Sequence, residues 1–165
     1  MDINNNTIRL VRALVKLSSA LYDIDELKDD KRYKFNFKKD LDIWHEWSEE
    51  YIKLPISSFT KSDPNTLMTL INMFNDYDKQ IQIVDDFTTR INLFLAKTES
   101  ALYDIDTLEP PYQVYMSTLK VKIEKLLKQN YFNPYINYVD PEGHGYKSIV
   151  QSLNKVGETI IVGST

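Results

Sequence analysis

The chain has 165 residues, 27% of them charged and 42% hydrophobic, a formal net charge of -4 and no cysteine. That length suffices for one domain that buries most of its apolar surface without covalent staples. The missing cysteine excludes disulfides, thiolate catalysis and Cys-ligated zinc, and the acidic balance argues against a general nucleic-acid binder, because phosphate binding needs clustered Lys and Arg. No run approaches the ~18 apolar residues of a membrane span, and the start Met1-Asp2-Ile3-Asn4-Asn5-Asn6 lacks the basic and apolar regions of a signal peptide. The expected setting is the cytoplasm or a particle assembled there. The bias toward Asn, Ile, Lys, Asp and Tyr matches AT-rich genomes, such as those of low-GC bacteria and their phages.

All four glycines lie at or beyond Gly143, and the six prolines are Pro55, Pro64, Pro110, Pro111, Pro134 and Pro141. So little punctuation favours a few long helices. Leu10, Leu14, Leu17, Leu21 and Ile24 recur at helical spacing and predict a first helix over about 7–27. Phe37, Leu41, Trp44 and Tyr51, with Trp47 beside them, predict a second over about 31–53, opened by Asp29-Asp30 and closed by Pro55. A loop is expected over 56–62. Asp63-Pro64 then offers an N-cap and a first-turn proline.

Between residues 65 and 109 there is neither Gly nor Pro, and Leu67, Leu70, Phe74, Tyr77, Ile81, Val84, Ile91, Leu95, Leu102 and Ile105 keep one heptad register. One continuous helix of about 60 Å is the preferred expectation, with two helices broken near Asp85-Asp86 as the alternative. Pro110-Pro111 opens the next helix, to about Asn130, with the stripe Tyr112, Tyr115, Leu119, Ile123 and Leu126. An aromatic loop over 132–138 and a last helix over about 146–156, stopped by Gly157, complete the pattern.

The segment Ser19-Ala20-Leu21-Tyr22-Asp23-Ile24-Asp25 recurs as Ser100-Ala101-Leu102-Tyr103-Asp104-Ile105-Asp106, an offset of 81. Thr7 and Thr88, Arg9 and Arg90, Leu14 and Leu95, and Lys16 and Lys97 keep the same offset. The expected fold is therefore all-α: an elongated helical bundle of two tandem three-helix repeats, unit one over about 7–80 and unit two over about 88–156, with an extended tail over 157–165.

The chemistry on offer is thin. Asp23/Asp25 and Asp104/Asp106 could attract a hard cation, but two residues apart on a helix they point to different faces, and no calcium-loop spacing follows. A duplicated binding site and a repeated structural corner both fit the Tyr-Asp-Ile-Asp copies; the corner is the plainer reading. Carboxylates at a helix C-terminus oppose its dipole, so a compensating group is expected near them. His45 reads as a histidine at a core edge. The basic run Lys120, Lys122, Lys125 and Lys128 reads as a solvated face. No catalytic, metal or cofactor residue is assigned, and an enzyme is not expected.

What remains is a surface for contacts. Tyr131, Phe132, Tyr135 and Tyr138 crowd a proline loop, and rings of this kind dominate interface cores as well as interiors. His144 lies in a Gly-flanked turn before the last helix. The tail Ile160-Ile161-Val162 is β-branched and bracketed by glycines, a segment suited to adding as a strand to another chain. The expected function is a non-catalytic structural or assembly protein working through protein–protein contacts as a homo-oligomer or within a larger assembly, its most specific form a phage virion connector or ring subunit. The rivals are a small inhibitor or regulator of one host protein and, more remotely, a metal-dependent enzyme. Neither nucleic acid nor membrane is expected as a primary partner.

Overall fold

In a computed structural model, residues 5–36, 38–62, 64–81, 87–137 and 145–158 are described. Every regular element among them is helical: α1 (Asn5–Leu27), α2 (Lys31–Asn36), α3 (Lys38–Ser62), α4 (Pro64–Ile81), α5 (Phe87–Asp106), α6 (Pro110–Tyr115), α7 (Ser117–Leu127), α8 (Asn133–Ile136) and α9 (Tyr146–Lys155). The all-α expectation holds. No helix among the described residues is long and apolar enough to cross a membrane.

The core is organised by α1 and α5, which carry the duplicated segment and pack against each other more extensively than any other two helices. They run antiparallel. The Glu109 N–H, just past the end of α5, donates to Asn6 Oδ1 at the start of α1, whereas Arg90 near the start of α5 meets Asp23 near the end of α1. Fourteen of the twenty residues of α5 are buried, so it is surrounded on nearly all sides. Helices α3 and α4 pack on α1, and α7, α8 and α9 pack on α5. Leu14, Leu17, Ile24, Phe94, Leu95 and Ile105, all close to 0% exposed, form the apolar part of the seam.

Several local expectations are corrected. Helix α3 runs through Pro55 to Ser62, so the loop over 56–62 does not exist. A proline inside a helix removes one donor and costs ~3 kcal/mol at a single turn, a local penalty that the turns on either side outweigh here. The 60 Å helix over 65–109 is excluded by geometry. Asp104 Oδ2 lies 2.8 Å from Lys16 Nζ, and the Phe74 ring centroid lies 5.8 Å from the same atom. In one straight helix those residues would stand about 45 Å apart, so α4 and α5 are two helices and the chain reverses between them. The heptad register misled because both helices face α1 with the same period. The helix expected from Pro111 to Asn130 is divided at Met116 into α6 and α7, with the buried Met116 side chain turned into the core. The aromatic loop is instead a 3-10 turn (Asn130–Phe132) followed by α8. Gly157 stops α9 as expected: its φ is +74°, and a Cβ there would stand 2.8 Å from Leu70 Cδ2.

Candidate functional site: a buried ionic seam and an exposed aromatic face

The repeated Tyr-Asp-Ile-Asp places its first aspartate inward and its second outward. Asp23 and Asp104 are fully buried, as are Lys16 and Lys97. The pairing is reciprocal: Lys16 Nζ stands 2.8 Å from Asp104 Oδ2, and Lys97 Nζ stands 2.8 Å from Asp23 Oδ2. Each lysine reaches across to the other helix. Each carboxylate also has a guanidinium, Arg12 Nε at 3.7 Å from Asp104 and Arg90 Nη1 at 3.0 Å from Asp23. These four cations supply the compensation that carboxylates at helix C-termini require.

The two clusters differ in solvent access. Arg12 is fully buried; it donates to the Asn154 backbone carbonyl through Nη2, while Nη1 finds no acceptor. Arg90 keeps 13% of its side chain exposed. Burial lowers the Lys16 pKa to about 8 against the pull of Asp104, and the neighbouring Arg12 lowers it further. Burial likewise raises Asp104, with Lys16 and Arg12 acting the other way. Both directions have one cause: removing charge from water costs more than the partner returns. The reciprocal pairs join two helices in one register. Helix α9 is tied to the same seam, since Ser100 Oγ donates to Asn154 Oδ1 at 2.6 Å.

The outward aspartates dock the flanking helices. Asp25 Oδ1 lies 3.1 Å from His45 Nε2 on α3 and 3.0 Å from Lys28 Nζ, and Asp106 Oδ1 lies 2.8 Å from Lys120 Nζ on α7. His45 is thus a histidine at a helix junction. No group of three or more His, Cys, Asp or Glu side chains able to hold a metal occurs among the described residues.

The aromatic residues expected at a contact surface are distributed differently. Phe132 is 0% exposed, a core ring against which Tyr131 packs edge-on at 4.6 Å. Its presence on a contact surface is thereby corrected: the 3-10 turn rolls it inward where a loop would have left it outside. Tyr131 is half-buried and its hydroxyl donates to Asp40 on α3. Tyr135 is half-buried, edge-on to Phe87 at 6.0 Å. Burial raises the hydroxyl pKa of both. Tyr138, His144, Ile160, Ile161 and Val162 lie outside the described residues, as does the tail strand.

A face that the periodicity had assigned mainly to the core is only partly buried: Trp47 and Tyr51 pack on the core with one side and keep the other open. Along α3, Ile43, Trp47 and Tyr51 follow one another at intervals of four. Trp47 and Tyr51 stack with centroids 5.1 Å apart, and Tyr51 Oη donates to the Tyr115 carbonyl at 2.9 Å, fixing α3 against α6. Ile43 is 57% exposed and Tyr115 55%. Lys122 on α7 lies over the Trp47 ring at 4.6 Å from its centroid. A cleft of about 170 Å³ between α3 and α7 is walled by Trp44, Trp47, Tyr131, Lys122 and Lys125, and a second shallow recess beyond Trp47 is edged by Glu46 and Glu50. The signal was present in the sequence. Trp47 stands one step off the stripe Leu41-Trp44, and Ile43 further round, on the side away from the buried Ser48 and Ile52.

No family model, curated protein or solved structure matches the chain.

Proposed function

We propose that the chain is a non-catalytic structural or assembly protein that acts through protein–protein contacts, built from two tandem three-helix repeats related by a pseudo-twofold axis between α1 and α5. The repeat part rests on the reciprocal pairs: an offset of 81 carries Lys16 to Lys97 and Asp23 to Asp104, and so turns one ion pair into the other. The flanking helices follow the same rule, with Asp25 held from α3 and Asp106 from α7. Tyr22 and Tyr103 are both exposed, 48% and 41%.

The single observation behind the contact function is the aromatic strip Ile43-Trp47-Tyr51-Tyr115. It is held rigid by stacking and a hydrogen bond, with Ile43 and Tyr115 exposed and Trp47 and Tyr51 half-buried, and Trp and Tyr on fixed backbone at a surface are what interface hot spots are made of. The buried ionisable groups are committed to the helix seam, which leaves the surface to carry the function. In its most specific form the protein is a subunit of a phage particle, a connector or ring component.

The test is a photo-crosslinking amino acid placed at position 43 in the cells that make the protein, with the exposed position 18 as control. Discrete protein adducts from position 43 and none from position 18 are expected. No protein adduct from position 43 would overturn the contact function.

A further inference from the structure

The strip has a charge pattern that selects its occupant. Going round α3 from the core, the order is Trp44, Tyr51, Asp40, Trp47, Ile43, Glu50, Lys39, Glu46, each at its helical angle. Helix α7 closes the Trp47 side with Lys122 and Lys125, which line the cleft against Trp44 and Trp47. The face therefore reads a net basic row (Lys122 and Lys125 with Asp40), an aromatic strip and a net acidic row (Glu46 and Glu50 with Lys39). All six charged side chains are exposed, and among the described residues none of them is in an ion pair.

We propose that this face pairs with the same face of a second copy of the chain, an inference that rests on the contact function above. A twofold axis lying along the strip superposes each copy's lysine row on the other's glutamate row, sets Asp40 of each copy against Lys39 of the other, and stacks Ile43, Trp47 and Tyr51 of the two copies at the centre. An axis across the strip would set lysines against lysines and glutamates against glutamates. One twofold arrangement is thus attractive on both flanks and the other repulsive on both, so the charges set orientation while the rings supply the buried area. A partner of uniform charge would match one row and clash with the other.

The experiment is sedimentation equilibrium of the full chain at low salt with three variants. Lys122→Glu with Lys125→Glu makes both rows net acidic, and Glu46→Lys with Glu50→Lys makes both net basic. Each is expected to weaken the dimer at least tenfold, since like charges then meet on both flanks. Mixing the two variants is expected to restore a dimer containing one of each. The chain carrying all four substitutions is expected to pair with itself, because its rows are exchanged but still complementary. That restoration separates a lost interface from a lost fold, and circular dichroism of each variant checks helicity. A wild-type chain that stays monomeric, or a dimer indifferent to both reversals, overturns the proposal. The contact function fails separately: a crosslink from position 43 to a different protein would preserve it while self-pairing falls.

Discussion

Asp104→Ala removes the carboxylate shared by two fully buried cations, Lys16 and Arg12. What each retains is small. Lys16 keeps a 3.3 Å hydrogen bond to the Ser100 carbonyl and its place 5.8 Å from the Phe74 ring, and Arg12 keeps the Asn154 carbonyl. Breaking a buried pair from the carboxylate side costs about 3–5 kcal/mol, most of it the desolvation of the charge left behind. Against a total stability of ~5–15 kcal/mol for a domain, that is a large fraction. The converse change is milder. Lys16→Met keeps the apolar stem and leaves Arg12 near Asp104, so about 1–3 kcal/mol is expected. Asp23→Ala should fall between them, because Arg90 is 13% exposed and can turn toward water. Combining Lys16→Met with Asp104→Leu removes an ionic interaction at once from both sides, so its cost should fall short of the sum of Asp104→Leu and Lys16→Met alone by about 0.5–3 kcal/mol. Urea unfolding followed by helical circular dichroism and tryptophan fluorescence measures all of these. An Asp104→Ala cost below about 1 kcal/mol, or no greater than that of Lys16→Met, would refute the reasoning, since the seam would then contribute neither stability nor register.

The same seam predicts a pH dependence. The Lys16 pKa is lowered from 10.5 to about 8 on folding, so between those values the unfolded chain binds more protons and stability should rise as pH increases from 8. Near pH 10 the trend should reverse, because Tyr33, Tyr131 and Tyr146 are raised by burial and stay protonated only in the folded chain; Lys16→Met should abolish the rise, and unfolding midpoints in buffers from pH 7 to 10.5 decide it. Gly157→Ala should cost about 1 kcal/mol or more, since a positive φ is strained for alanine and the new methyl would press on Leu70 Cδ2; a melting temperature within a degree of wild type would count against the packing of the α9 stop on α4. Adding EDTA should leave the melting temperature unchanged, because all four aspartates of the repeated motif are engaged by cationic side chains; a drop of several degrees would mean that they bind a metal instead.

Much of this protein follows from local physics that a sequence displays directly. The apolar period of 3.6 and the scarcity of Gly and Pro gave the helical class, and Gly157 gave the end of the last helix, since a stop in the left-handed region depends on one residue and its neighbours. The offset of 81 showed that two segments must be read together, and the odd placing of aspartates at helix ends showed that something had to offset them. What no period contains is the partner across space. That Lys16 answers Asp104, and not Asp23 on its own helix, depends on α5 lying antiparallel to α1, and that in turn depends on the chain reversing after α4. The register of α4 and α5 could not distinguish one helix from two, because two helices facing the same neighbour repeat the same period. The fate of the rings was undecidable for the same reason. Phe132 and Trp47 are equally apolar in a sequence, and only the roll of a 3-10 turn beneath α8, and the placing of Lys122 of α7 over the indole, put one fully in the core and left the other half-buried.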